Sequence, residues 1–416
     1  MNCRGSRCRG ALGLLLIALA VLLVVFSLRL IARWGAKETP AATGSLRAIA
    51  WAEIGKLPRD PEALSLWASA LENSAVYYDK QPAAARYAFG SSAAVSAAAL
   101  ARGCRDLATR ARGGNIEALH AHLRAHYRVF AATGRDGHGE VLVTGYYEPL
   151  LEGSRTRSER FRHPLYQRPD DLLEADLGAW SEDLKGRKLV ARVEKGKLLP
   201  YFDRTEIDQD GRLAGRGLEV VWVDDEIALF FLHIQGSGRI RLAEDGSHLR
   251  VGYAAANGRP YRAIGSLMLK EGMLTPGHVS MQAIRSWLEA HPGEVERVLA
   301  HNPSYVFFRE QAGGPFGNIE VALTPGHSIA TDYREFPKGA PALLVSRWPR
   351  FAQATGEEIA AWEPVTRWVV NQDTGGAIRG PGRVDWFMGF GAEAERVAGV
   401  MKADRSALYF IAPRDD

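Results

Sequence analysis

The 416-residue chain is 46% hydrophobic and 24% charged, the composition of a folded globular protein with room for two or three domains. Its formal net charge of +4 is too small to indicate a nucleic-acid partner. Of the cysteines, Cys3, Cys8 and Cys104, only Cys104 lies beyond the N-terminal apolar segment, so no disulfide forms within the body and the redox compartment stays open.

Arg4, Arg7 and Arg9 precede an uncharged apolar run over residues 11–28. That run is long enough to span a bilayer as a helix and exceeds the roughly 7–15-residue core of a cleaved signal peptide. The leading arginines place the N-terminus on the cytoplasmic side and the body outside, although Arg29, Arg33 and Lys37 pull against that orientation. A cleaved export signal is the alternative; under both readings the body is exported. Helices are predicted over 63–79, 92–111 and 116–132. His122 and His126 stand four apart, as metal ligands can, but no sequence neighbour completes a site, so they read as a solvated helix face.

From Val141 the pattern changes to strands. Gly145-Tyr146-Tyr147-Glu148-Pro149 ends one of them with two aromatics and an acid. This is either a packed strand end or the wall of a sugar cleft, where tyrosine offers a stacking face and a hydroxyl. A polar–aromatic cluster follows around Arg204. Apolar strands are predicted over 218–223 and 227–234, and an alternating strand over 239–242. Gly236-Ser237-Gly238 reads as a hairpin turn, or as a loop in which the Gln235 amide orients a ligand. Tyr253, Asn257, Gly258, Tyr261 and Gly265 extend the polar–aromatic theme, and 278–290 is an amphipathic helix. Strands at 304–308, 319–323, 342–345, 366–371, 384–388 and 407–411, with a helix at 392–401, indicate a barrel or sandwich.

The richest stretch is 371–390. It holds Asp373 and Asp385, separated by Gly375, Gly376, Gly380 and Gly382. Glycines let a ligand approach the backbone closely. Asp385 is flanked by Val384, Trp386 and Phe387, a setting that desolvates a carboxyl and raises its pKa from about 3.9 towards the range useful to a general acid. Asp332 is a third acid in polar, Gly-containing sequence. Each Asp alone reads as a turn or cap residue, but two across a Gly-rich loop fit glycoside cleavage. Asp373-Thr374-Gly375 is also the tripeptide of aspartic proteases. It occurs once, and that chemistry needs two such acids sharing a proton. No Gly-x-Ser-x-Gly elbow, P-loop, zinc or dinucleotide pattern is present, so neither metal nor cofactor is expected.

Seven motifs in order then carry a resemblance: GYYEP (145–149), the Arg204 segment, IQGSG (234–238), NGRPY (257–261), NPSYVFF (302–308), LTPGHSIATD (323–332) and QDTGGAIRGPGRVDWFMG (372–389). Over 141–413 the chain resembles the membrane-bound lytic murein transglycosylase A family. The resemblance implies a mainly β protein with added helices: a double-psi β-barrel built from N- and C-terminal parts, a second β domain inserted in it, and a groove between them. The expected organisation is a cytoplasmic N-terminus (1–10), a transmembrane anchor or signal segment (11–33), a linker (34–50), a helical region with the first part of the barrel (51–159), the inserted β domain (160–305) and a three-aspartate catalytic barrel domain (306–416).

The resemblance further implies cleavage of the MurNAc–GlcNAc bond of peptidoglycan without water, leaving 1,6-anhydro-MurNAc ends, with Asp385 as the single acid/base and Asp373 in support. Expected glycan-binding residues are Tyr146, Tyr147, Glu148, Arg204, Gln235, Ser237, Asn257, Ser304 and Asp332. Expected partners are peptidoglycan strands, the membrane through the N-terminal segment, and cell-wall enzyme complexes. Family members are commonly outer-membrane lipoproteins, but no cysteine directly follows the apolar run here, which favours an inner-membrane anchor facing the periplasm. A hydrolytic glycosidase using Asp373 and Asp385 as a pair, and a non-catalytic peptidoglycan-binding scaffold, are the alternatives.

Overall fold

At the centre of the fold a sheet closes on itself. In the computed structural model, which describes residues 44–91, 94–276, 279–353 and 358–414, six strands are bonded in the order Lys402–Pro413, Pro341–Phe351, Ile359–Asp373, Ser328–Ala330, Arg383–Phe390, Val141–Glu148. Val141–Glu148 then pairs back onto Lys402–Pro413 and shuts the barrel. Closure leaves no unpaired strand edge within the ring. One barrel strand comes from the upstream part of the chain and five from the C-terminal part, the construction the resemblance implied. The segments expected at 1–10 and 11–33, and the 34–43 portion of the linker, lie outside the described residues, as do Ser92 and His278. No helix among the described residues is long and apolar enough to cross a membrane.

Helices cover one side of the barrel. Pro61–Asp79 starts where sequence rules put it: Asp60 accepts a hydrogen bond from the Glu62 amide and Pro61 takes the first helical position. Its Trp67 stacks on the barrel's Trp368 with ring centroids 5.0 Å apart. Buried Gln372 ties the same helix down, donating from Nε2 to the Ala70 carbonyl and to Ser74 Oγ. The helix predicted over 116–132 is a correction. Ile116–His126 is helical, but Tyr127–Ala132 is a strand, paired with Leu46–Ile49 and with Lys402–Pro413. Tyr127, Val129 and Phe130 suit a strand, and the pairing available from the barrel outweighs a helical spacing with no breaker in it. His122 is not on a bare solvated face: its Nε2 lies 2.6 Å from Asp106.

At Pro149 the chain leaves the barrel and enters a second, six-stranded sheet, ordered Val306–Glu310, His248–Ala256, Ser237–Leu242, Leu150–Ser154, Glu219–Val223, His163–Tyr166. A three-stranded sheet, Lys197–Pro200, Lys188–Glu194 and Leu173–Asp176, sits within the same excursion. Three further expectations fail. The apolar run at 227–234 is no strand but the helix Glu226–Gln235, capped by Asp225 and ended by Gly236 at φ +77°. It is apolar on all sides because it is sandwiched: Leu229 and Leu232 join the core of the sheet, while Ile227, Phe230 and Phe231 join a helical core containing Leu288 and Val298. Consequently Gly236-Ser237-Gly238 is not a hairpin turn; Gly236 ends the helix and Ser237 opens a strand. The strand predicted at 319–323 is instead a turn-rich loop with a single bridge, Phe316 to Ala322.

Candidate functional site

Strand register assembles the acids. Ala330, at the end of the short strand Ser328–Ala330, lies opposite Asp385 on one side and opposite Asp373 on the other. On the far side of Asp385 the next partner is Thr144. The row Thr144, Asp385, Ala330, Asp373 thus crosses four neighbouring strands, and the two aspartates are separated by two strand spacings, roughly 10 Å between Cα atoms. Tyr146, two residues beyond Thr144 on the same face, donates its hydroxyl to Asp373 Oδ2 at 2.9 Å.

The two carboxyls differ in how firmly they are held. Asp373 Oδ1 accepts from the Asn318 amide at 2.9 Å and the Thr374 amide at 2.8 Å, in addition to the tyrosine bond on Oδ2. The loop at 316–322 is what delivers Asn318. It passes so close that a Cβ on Gly317 would lie 2.3 Å from the Gln372 carbonyl oxygen, which requires glycine. Asp385 has one partner, Thr144 Oγ1 at 2.7 Å on Oδ1. Its Oδ2 accepts no hydrogen bond from any described residue. Both aspartates are half-buried: protein strips most of their water while part of each side chain stays reachable.

That burial moves both pKa values up. Asp373 is pushed up to about 6 by desolvation, against hydrogen bonds from Thr374, Tyr146 and Asn318, with the charge of Asp385 adding to the rise. Asp385 is raised by desolvation, against the Thr144 hydrogen bond and the Arg383 charge. Asp332 goes the other way. Burial raises it, but the Gly380 amide and Arg334 together hold its carboxyl below the usual value. Asp332 is therefore an ionised brace for the Gly-rich loop, bonded to the Gly380 amide at 2.9 Å.

A stability prediction follows from the sign at Asp373. A carboxyl whose folded pKa exceeds its unfolded value of about 3.9 binds its proton more tightly when folded. Its stabilising share is complete below about pH 4 and is lost as pH rises through about 6. Asp373→Asn, which keeps the Oδ1 acceptor, should gain on wild type between those limits, by about 1–2 kcal/mol above pH 6 after allowance for partial exposure. Thermal melts of both proteins across pH 4–8 check this; a gap that does not change with pH would be the contrary result.

The remaining expected site residues fall into two groups. Tyr147 is buried, donates its hydroxyl to Glu395 at 3.1 Å, and has its amide bound by Gln235 Oε1 at 3.1 Å. Gln235, Ser237 and Ser304 are half-buried. Glu148, Arg204 and Asn257 are buried and occupied. Glu148 pairs with Arg239 at 2.7 Å. Arg204 donates to the Asn302 and Ser304 carbonyls and lies 3.3 Å from Asp208. Asn257 bonds four backbone groups. Residues not anticipated are Thr144, Asn318, Arg383 and, as a neighbour of the acid, Tyr261. The Tyr261 phenol is raised mainly by burial, and it lies within range of the charges of Arg383 and Asp385, with 39% of it exposed. Strand alternation could have found Thr144, since it shares a face with Tyr146; Asn318 and Tyr261 arrive from loops and leave no such trace. Among the described residues there is no cluster of His, Cys, Asp and Glu able to hold a metal.

A closed barrel bearing two desolvated aspartates, interrupted by an inserted sheet, defines a two-part, acid-bearing β architecture. Residues 142–309 match the MltA specific insert domain and residues 327–410 match the 3D domain. The chain belongs to the membrane-bound lytic murein transglycosylase A family. It is similar to membrane-bound lytic murein transglycosylase A of Escherichia coli strain K12, 34% identical over 269 residues; that stretch is 64% of each protein, just under two thirds of the relative's length. The crystal structure of a membrane-bound lytic murein transglycosylase from Agrobacterium tumefaciens is 31% identical, with a TM-score of 0.71, covering 89% of this chain and 98% of that one. A crystal structure of MltA from Neisseria gonorrhoeae is 27% identical, with a TM-score of 0.66, covering 89% and 93%.

Proposed function

We propose that this protein is a peptidoglycan lytic transglycosylase that cuts the β-1,4 bond between N-acetylmuramic acid and N-acetylglucosamine with Asp385 as its single acid/base. The observation that carries the assignment is the free Oδ2 of Asp385, on a half-buried carboxyl raised by desolvation, next to an Asp373 whose oxygens are fully engaged. The protonated Asp385 gives its proton to the glycosidic oxygen as the bond to the muramic anomeric carbon breaks. Positive charge then develops on that sugar ring, and the negative potential of Asp373 stabilises it. Asp385, now a carboxylate, takes the proton of the muramic 6-hydroxyl as that oxygen closes on the anomeric carbon. One proton is lent and one recovered, no water is consumed, and the nucleophile is already tethered to the electrophile. In this reading Tyr146, Tyr147, Gln235, Ser237 and Ser304 line or support the glycan path. Glu148, Arg204, Asn257 and Asp332 support it from behind.

The enzyme works in the cell envelope, with segment 11–33 as an inner-membrane anchor, peptidoglycan as its partner and cell-wall enzyme complexes as its setting. The insert, expected over 160–305, is proposed to run instead from Leu150 to Glu310, because Leu150–Ser154 and Val306–Glu310 are strands of its sheet. The decisive experiment is mass spectrometry of products from digested sacculi. Anhydro ends, one water lighter than reducing ends, are expected. Reducing ends would mean that water attacks and that the Asp373–Asp385 pair works hydrolytically; intact sacculi with bound protein would mean a scaffold.

A further inference from the structure

The insert carries a sheet whose two faces are inverted. In the strands Leu173–Asp176, Lys188–Glu194 and Lys197–Pro200, register puts Val193 opposite Leu198, Leu189 opposite Ala175 and Leu173 opposite Ala191. Alternation therefore gathers these six apolar residues on one face and sends every charged residue of the three strands to the other. It is the charged face that meets the protein. Val190 packs against the core holding Tyr201 and Phe307, and the Arg192 guanidinium lies over the Phe202 ring at 4.1 Å. The apolar face is turned to solvent, with Leu173, Leu189, Val193 and Leu198 each between 43% and 60% exposed. A sheet with one wet face normally turns its polar side outward, so this arrangement calls for an occupant.

The size and setting of the face select that occupant. Trp180, in the connection between the first two strands, is 71% exposed as well, and an exposed indole among aliphatic side chains is the composition of a surface that meets a membrane–water interface. Apolar patches of this kind measure roughly a few hundred Å², below the roughly 800 Å² per partner of a stable protein–protein interface. A bilayer sets no such threshold for a protein already tethered to it, because the tether supplies the effective concentration. The stretch 29–44, between the apolar run and Ser45, reaches at most about 55–60 Å when extended. Ser45 joins the body on the flank that carries the sheet. Its hydroxyl donates to Glu335, and Lys338, three residues on, has its ammonium pushed down by burial and by the charge of Lys188 on the sheet's inner face.

We propose that the outward face of this sheet is a membrane-docking surface, which lies against the lipid headgroups and buries Leu189, Val193 and Leu198 at the top of the acyl chains. The inference rests on the reading of 11–33 as an anchor, and it goes beyond the reaction assigned to Asp385. The face bears no charge, so a neutral lipid suffices. Docked there, the body no longer swings freely on its tether, and the glycan it reaches is the layer next to the membrane.

The test uses the full chain in phosphatidylcholine vesicles, with Leu198→Trp as a fluorescent reporter and the wild-type emission subtracted. Brominated phosphatidylcholine should quench about half or more of the added emission, the loss expected of an indole seated at the interface. Adding Val193→Glu should abolish that quenching. Both positions are exposed, so both variants should keep the wild-type thermal midpoint and the wild-type release of fragments from dispersed sacculi. An unquenched reporter on vesicle-bound protein would overturn the proposal, and so would quenching that survives Val193→Glu. An unquenched reporter together with concentration-dependent dimers that Val193→Glu dissolves would assign the face to a second copy of the chain instead. Failure of the wild-type chain to float with the vesicles would remove the anchor and the docking together, and leave the assignment of Asp385 standing.

Discussion

With asparagine in place of Asp385, release of soluble fragments from peptidoglycan is expected to fall by about 10²–10⁴-fold, the span over which a positioned acid/base acts. The loss should be chemical rather than structural. Thr144 Oγ1 donates to Oδ1 of Asp385 at 2.7 Å, and asparagine retains that acceptor in the same rotamer. What the substitution removes is a carboxyl whose charged form is disfavoured by burial, so the thermal midpoint should be unchanged or raised. Turnover requires the protonated carboxyl first. Activity should therefore decline as pH rises through the elevated pKa of Asp385, and no such limb should remain in the residual activity of the variant. Near-normal turnover by Asp385→Asn would transfer the role to Asp373, whose three donors otherwise argue for a fixed, supporting carboxylate.

What the sequence made legible was whatever is written in local spacing. Val384-Asp385-Trp386-Phe387 announced a strand with one acid among apolar neighbours, and that strand lies in the barrel. The helix Pro61–Asp79 was visible over 63–79 from its apolar spacing, and its Asp60 cap and Pro61 start extend it by two residues. Features set by distant partners were not visible. Tyr127–Ala132 reads as a continuation of a helix until a strand nearly 300 residues downstream is there to bond it. Glu226–Gln235 reads as a buried strand because a helix sandwiched between two cores loses its polar stripe; its cap at Asp225 and its glycine end were the usable signals. The site shows the same division. Asp373 and Asp385 stood out from their own neighbours, while the register that places both beside Ala330, and the loop that brings Asn318 to Asp373, follow only from closure of the barrel.

Asn257 tests the line between a ligand contact and a brace. It is 1% exposed, and its amide is saturated. Nδ2 donates to the Phe202 and Pro303 carbonyls, each at 2.9 Å, while Oδ1 accepts from the Tyr305 amide at 2.9 Å and the Arg259 amide at 3.2 Å. Arg204 bonds the Asn302 and Ser304 carbonyls from the other side, so three separate chain segments are tied at one point. Asn257→Ala would leave two carbonyls and two amides to find water in a closed space. At about 1–3 kcal/mol for each group left unpaired, and with some rehydration, the expected loss is about 3–5 kcal/mol in denaturant unfolding. Asn257→Asp should do no better, since it replaces the donor with an accepting oxygen turned toward two carbonyl oxygens. A glycan contact would give the reverse pattern, with stability kept and KM raised. The segment that Asn257 anchors also carries Tyr261, the aromatic that the insert holds near Asp385. Loosening it should therefore lower kcat in the protein that remains folded as well as stability, because Tyr261, within range of the Asp385 charge, is positioned from the same point.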